Sequence, residues 1–143
     1  MLRIFLSAVM GCMTRCLVVD DSQVLRRLHC QLLRRLGMDP AEAHDGEAAL
    51  DVCRQAMPDV ILVDWNMPRM DGLEFLRALR RLPGGHAPKA IVCSIENDLG
   101  HITRAIDAGA DEYLMKPFDL AMLTHKLSAA GVPTVSPQDA HRQ

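Results

Sequence analysis

Aromatic residues are scarce in this chain, at 3% against 49% apolar residues overall. Its core must therefore rest on Leu, Val, Ile, Ala and Met, and 143 residues are enough for one such core in one domain without staples. A strong charge of either sign is also missing: a net charge of −2 offers no electrostatic footprint for nucleic acid or an anionic membrane. The five cysteines, at 12, 16, 30, 53 and 93, form no CxxC pair and leave one over in any full disulfide scheme, which reads as reduced thiols in a cytoplasmic protein. The six histidines lack HxxxH or Cys/His ligand spacing, and no Walker-type loop is present, so neither a zinc centre nor a nucleotide site is expected. No long-period repeat and no inter-domain linker breaks the chain.

Long hydrophobic runs are absent as well. The opening stretch MLRIFLSAVMGC loosely resembles a lipoprotein signal, but its apolar run is far too short to span a bilayer. Met13 directly precedes the natural beginning of the domain. Residues 1–13 are therefore read as a misassigned start or an extra apolar flap outside the fold, 14–131 as the domain, and 132–143 as a flexible tail.

What the chain does have is alternation. The central stretch, VILVDWNMPRMDG from Val60 to Gly72, opens with four apolar residues in a row, as a strand buried on both faces of a parallel sheet should. It then places Asp64 at the strand's end, and the Pro and Gly that follow turn the chain into a loop. The same pattern recurs at Cys16–Val19 before Asp20 and Asp21, at Ala90–Cys93 before Ser94, and at Tyr113–Met115 before Lys116. Asp39–His44 has poor strand propensity and fits only a short edge strand. Between these lie helical patterns. Ser22 caps the first, with Val24, Leu25, Leu28, Leu32 and Leu36 on its apolar stripe and Arg26, Arg27, Arg34 and Arg35 on a solvated face. Ala49, Leu50 and Cys53 mark the second, and Leu73, Leu76 and Leu79 the third. Ile102, Ala105 and Ile106 mark the fourth, and Leu120, Leu123 and Leu127 the fifth. Strand then helix, five times over, predicts an α/β fold with a parallel sheet covered on both faces.

Carboxyl ends of parallel strands lie on one edge, so Asp20, Asp21, Asp64, Ser94 and Lys116 should converge there. Gathered carboxylates repel one another, and an all-oxygen cluster with a backbone carbonyl suits Mg²⁺. Lys116 and the Ser94 hydroxyl supply a point charge and a donor for a phosphoryl group, with Asp64 as its acceptor. Each residue alone has a plainer reading: Asp21 as a helix cap, Lys116 as half of a salt bridge, Ser94 as a turn. An acid following four buried apolar residues still needs a partner.

These residues make the chain, from about Thr14 to Gly131, resemble the receiver domain of two-component response regulators. The Asp20-Asp21 pair, Asp64 with Asn66, Met67, Pro68, Asp71 and Gly72 around it, Ser94, and Lys116-Pro117-Phe118 all stand where that family places them. The intervals of 30 residues from Asp64 to Ser94 and 22 from Ser94 to Lys116 fit without a gap. The resemblance implies a flavodoxin-like sheet of order 2-1-3-4-5. It also implies Asp64 as phosphoacceptor for a histidine kinase, and Mg²⁺ held by Asp21, Asp64 and the Asn66 carbonyl with Asp20 on metal-bound water. Ser94 and Lys116 would grip the phosphoryl oxygens, Tyr113 would be an aromatic switch, and the Lys116-Pro117 bond would be cis. LVVDDS, DWNMPRMDGLEFLRALR, SIENDLGHI and AGADEYLMKPFD look more narrowly like single-domain, chemotaxis-type (CheY-like) regulators of the alphaproteobacterial kind. The stretch after the domain is too short for an output module. Output is then expected through protein binding at the face of the fourth helix, fifth strand and last helix, without nucleic acid or membrane insertion.

One position departs from the family pattern. The residue after Ser94 is usually small or Thr, and here it is Ile95, which should hinder both the attacking water and an approaching donor. Dephosphorylation is expected to be slow despite Asn66 and Glu96, whose polarity helps to orient water. Two rival readings accompany this one. An aspartate-nucleophile, Mg-dependent phosphatase of the haloacid dehalogenase type favours a second Asp where this chain has Asn66. A degenerate receiver would bind partners without phosphorylation.

Overall fold

The alternation of apolar runs and amphipathic segments resolves, in a computed structural model that describes residues 13–135, into five strands and five helices in strict succession. They are β1 (Arg15–Val19), α1 (Gln23–Arg35), β2 (Asp39–Ala43), α2 (Gly46–Gln55), β3 (Val60–Asp64), α3 (Gly72–Arg81), β4 (Lys89–Ser94), α4 (Leu99–Asp107), β5 (Glu112–Met115) and α5 (Leu120–Ala129). All strand pairs are parallel and the order is β2-β1-β3-β4-β5, the expected one. Every residue of β3, at the centre, is buried. The poor strand former Asp39-Pro40 lies on the β2 edge, where a proline without an N–H costs no ladder bond on its open side.

Side chains alternate across the pleat and so sort the helices into two layers. Leu17, Val19, Ile61, Val63 and Val92 face α2, α3 and α4, whereas Cys16, Val18, Val60, Leu62, Ile91, Cys93 and Leu114 face α1 and α5. Each helix begins on a side-chain cap three residues upstream of the N–H it satisfies. Ser22, Asp45, Asp71, Asp98 and Asp119 accept from Leu25, Ala48, Glu74, His101 and Met122. Cys16, Cys30, Cys53 and Cys93 are free and buried. Burial pushes the Cys16 and Cys93 thiols up to about 12 and Cys53 to about 11, so they remain protonated and inert. Cys12 lies outside the described residues. Among those residues, no helix is long and apolar enough to cross a membrane.

The helix phases need three corrections. In α1 the buried residues are His29, Cys30 and Leu33, with Leu36 just beyond the helix, while Val24 and Leu28 face solvent. The stripe is rotated because His29 goes inward to stack on Phe118, with ring centroids 4.5 Å apart. Arg26, expected on a solvated face, is folded back over the β1–α1 loop with its side chain only 13% exposed. In α4 Ile106 is exposed and only Ala105 is fully buried.

The tail also begins later than Gly131. Val132 is buried, its N–H donating to the Leu127 carbonyl at 2.8 Å, and the Val135 N–H reaches the Leu36 carbonyl at 3.2 Å. The expectations for residues 1–12 and 136–143 fall outside the described residues.

His29 makes the fold sensitive to acid. Burial, followed by the neighbouring Lys116 charge, pulls its pKa down from 6.5 to about 4. The unfolded chain therefore takes up a proton that the folded one refuses. Stability is fully present above pH 6.5 and is lost as pH falls toward 4. The loss from this residue is about 3 kcal/mol. Urea unfolding of wild type and His29→Leu at pH 7 and pH 4.5 should show a shallower acid loss in the variant; equal slopes would acquit His29.

Candidate functional site

Strand ends create the site. Asp20 follows β1, Asp64 and Ser94 close β3 and β4, and Lys116 follows β5, so the sheet's parallel pairing brings residues 96 positions apart into contact. The carboxylates of Asp20, Asp21 and Asp64 each offer an oxygen within 4.8 Å of the others. Lys116 Nζ lies between two of them, 3.0 Å from Asp20 Oδ2 and 3.0 Å from Asp64 Oδ1. Ser94 is buried beside them, and its carbonyl accepts the Lys116 N–H at 2.7 Å. The Lys116-Pro117 bond that aims this loop is cis, as expected.

Electrostatics at Asp64 are a contest that burial wins. Desolvation raises its pKa above the usual carboxylate value, and the Asp20 charge adds to that. The Lys116 ammonium and the Asn66 N–H pull the other way without cancelling it. Lys116 is also desolvated, but its bonds to Asp64 and Asp20 outweigh this and hold it firmly charged. A partly stripped carboxylate of raised basicity is a better nucleophile than an ordinary aspartate. The donor set is all oxygen and carries three negative charges against one lysine, which fits a hard divalent cation such as Mg²⁺.

The loop after β3 can pass this close because of Gly72, where a Cβ would sit 2.5 Å from the Asp64 carbonyl oxygen. Its N–H donates to the Trp65 carbonyl at 2.9 Å. Beyond the sheet edge, the Ser94 Oγ accepts the Glu96 N–H at 3.1 Å, and the Tyr113 hydroxyl donates to the Glu96 carbonyl. Tyr113 is thus inward and buried, tied to the loop that Ser94 begins. Ile95 projects outward on that loop, 66% exposed, and Glu96 is exposed beside it, as is Asn66 on the loop after β3.

The structure brings Asp20, Asp21, Asp64, Ser94 and Lys116 to one edge, leaves Asn66, Ile95 and Glu96 exposed on the loops beyond it, and keeps Tyr113 inside β5, bonded to one of those loops; three further residues join the edge. Trp65, next to Asp64, packs under His101 at 4.9 Å with the Arg104 guanidinium 5.3 Å from its ring, attaching α4 to the end of β3. His29 lies behind Lys116, and Arg26 behind Asp20. A run of apolar residues before Asp64 announces the acid but says nothing of which polar side chain folds back onto its loop.

A doubly wound parallel sheet with an acid cluster, a lysine and a hydroxyl at its carboxyl edge is an arrangement suited to handling a phosphoryl group. The sequence model of the response regulator receiver domain matches residues 16–128, and the chain belongs to that family, the phosphoacceptor modules of two-component systems. It is 31% identical over 115 residues to the phosphate regulon transcriptional regulatory protein PhoB of Klebsiella pneumoniae, covering 80% of this chain and 50% of the relative. The chain thus spans about half the length of the curated relatives it matches. Among solved structures it resembles the Vibrio cholerae chemotaxis protein CheY4, with a TM-score of 0.79 and 31% identity over 83% of this chain and 99% of that one. The receiver domain of the Francisella response regulator 1452 is similar at a TM-score of 0.74 and 28% identity, covering 82% of this chain and 95% of that one.

Proposed function

We propose that Asp64 accepts a phosphoryl group from the phosphohistidine of a histidine kinase and that the domain signals by binding a protein target, in chemotaxis or a related pathway. The observation that carries this reading is Lys116 held 3.0 Å from both Asp20 and Asp64 at the edge where three carboxylates meet. An Asp64 oxygen attacks phosphorus in line, the P–N bond breaks, and its electron pair leaves with the imidazole, giving an acyl phosphate. Asp20, Asp21, Asp64 and the Asn66 carbonyl are the groups that would hold Mg²⁺, which when bound supplies charge neutralisation for the transferring group. Lys116 turns from Asp64 toward the new phosphoryl oxygens, and the Ser94 hydroxyl donates to them.

Ser94 and Tyr113 both meet the backbone of Glu96, so a pull on the Ser94 hydroxyl acts on the loop that Tyr113 holds. Tyr113 also borders a groove of about 550 Å³ between α4, β5 and α5, with Ile102, Ile106, Met115 and Met122 on its walls. That groove is the surface through which a population shift at the acid site would reach a partner. Likeness to a chemotaxis protein that is itself a single receiver-sized chain supports the pathway assignment.

The test is direct. Incubated with Mg²⁺ and a small phosphodonor, the protein should gain the mass of one phosphoryl group; no gain, with or without the kinase, would remove the proposal. Ile95 adds a second expectation. Its branched side chain directly follows Ser94 and is exposed on that loop; if it screens the acyl phosphate from water, Ile95→Ala should shorten the phosphorylated lifetime roughly tenfold, about 1.4 kcal/mol at the barrier. An unchanged lifetime would clear Ile95 of the role.

A further inference from the structure

We propose that Arg26 is a positioning residue that aims Asp21 and so sets the affinity of the cation site; this rests on the reading that the acidic cluster holds a divalent cation. Arg26 sits in the first turn of α1, its N–H on the Ser22 carbonyl at 3.0 Å. From there its guanidinium reaches back over the loop. Nη1 donates to the Asp20 carbonyl at 2.7 Å and Nε to the Glu42 carboxylate of β2 at 3.0 Å.

The three acids are not equally fixed. Asp20 is held at every polar group: its N–H donates to the Ala43 carbonyl at 3.2 Å, Oδ1 accepts the Ser22 N–H at 2.9 Å, and Oδ2 faces Lys116 at 3.0 Å. Asp64 has Lys116 and the Asn66 N–H. Asp21 is exposed, and no side-chain hydrogen bond or ion pair to another described residue holds it. Its direction is left to the backbone. The Asp20 carbonyl and the Asp21 N–H belong to one rigid peptide plane, so the bond from Arg26 that fixes the carbonyl also fixes the base from which the Asp21 side chain projects.

Charge balance favours the same role. A bare guanidinium behind the acid pair would oppose a cation, and Glu42 cancels it at 3.0 Å. Glu42 is 40% exposed, so the ion pair itself adds little to stability. What remains is orientation of a group that bears a ligand, the kind of support whose loss typically weakens a metal site about 10- to 100-fold.

Calorimetric titration of the full chain with Mg²⁺, paired with urea unfolding of the same samples, decides it. Arg26→Met keeps the apolar stem and removes the guanidinium, and should weaken Mg²⁺ binding about tenfold. Arg26→Lys, which retains charge but cannot span both partners, should fall between wild type and Met and serves if the Met variant does not fold. A brace that merely ties β2 to α1 would lower the urea midpoint and leave the Mg²⁺ affinity of the folded protein where it was; that outcome overturns the proposal. Wild-type protein that takes up no Mg²⁺ would fell the cation reading and this inference with it, whereas binding by wild type and equal binding by both variants would fell this inference alone.

Discussion

Replacing Asp64 with Asn is expected to abolish phosphoryl uptake and, in the same protein, to raise its stability. The first half follows from chemistry: an amide oxygen cannot displace a phosphoryl group to form an acyl phosphate, and Ser94 is buried with its hydroxyl oriented by the Glu96 N–H. The second half follows from the local balance of charge. Asp64 and Asp20 are both buried and share a single lysine, and desolvation dominates the shift at Asp64. The native protein therefore carries a charge it would be more stable without, as functional sites commonly do. With Asn in place, Lys116 keeps Asp20 at 3.0 Å while the repulsion between the two acids disappears. The gain should be about 1 kcal/mol at pH 7 without added Mg²⁺. Intact mass after phosphodonor treatment and urea unfolding read the two halves separately. A phosphoryl adduct on the variant would place the acceptor elsewhere. A loss of stability would mean that Lys116 outweighs desolvation after all.

The largest loss of stability is expected far from that chemistry, at Arg80→Ala. Arg80 lies in the last turn of α3 with its side chain 13% exposed, and its guanidinium is spent mostly on main chain. Nε and Nη2 reach the Gly109 carbonyl at 3.1 and 2.7 Å, Nη1 reaches the Gly85 and Pro88 carbonyls at 2.9 and 2.8 Å, and Nη2 also meets Asp111 Oδ2 at 3.2 Å. One side chain thus ties together the α3–β4 loop and the α4–β5 loop. Asp111 in turn accepts the Ala90 N–H at 2.9 Å, so the brace runs into the start of β4. Truncation strips three carbonyls of a charged donor and leaves Asp111 without its cation, which costs about 3–5 kcal/mol. Arg80→Lys should recover only a minor part, because an ammonium cannot reach the Gly85, Pro88 and Gly109 carbonyls at once. Urea unfolding measures this, and a loss below about 1 kcal/mol would show that water replaces the guanidinium at little cost. The folded variant should accept phosphoryl groups normally, since Arg80 lies at the opposite end of the strands from Asp64.

The contrast between Asp64 and Arg80 marks what could be read from the chain. Strands were legible because four apolar residues ending in an acid suit little besides a buried strand that stops at a polar edge, and parallel pairing then forces those ends together. The cluster of Asp20, Asp21, Asp64, Ser94 and Lys116 was visible for that reason. Helix phase was less so. The aliphatic stripe of α1 includes Val24 and Leu28, which are exposed, whereas His29, outside that stripe, is buried through Phe118 nearly ninety residues later. Ile106 is apolar and falls in phase with Ile102 and Ala105, yet it borders the α4–β5–α5 groove. Arg26 and Arg80 left no trace, since their partners are largely backbone carbonyls, which every residue carries and no motif records. Val132 and Val135 were hidden by the polar residues around them.

The docked end has a practical side. The Val135 N–H bonds the Leu36 carbonyl, and the Thr14 carbonyl accepts the Asp39 N–H at 2.8 Å, so both ends of the described chain emerge beneath the amino-terminal rim of the sheet. A sensor chip, bead or fluorescent fusion attached at either end would hold the molecule from underneath. The acidic rim would then point away from the support, and one immobilised preparation could be challenged with phosphodonor and candidate partners in turn.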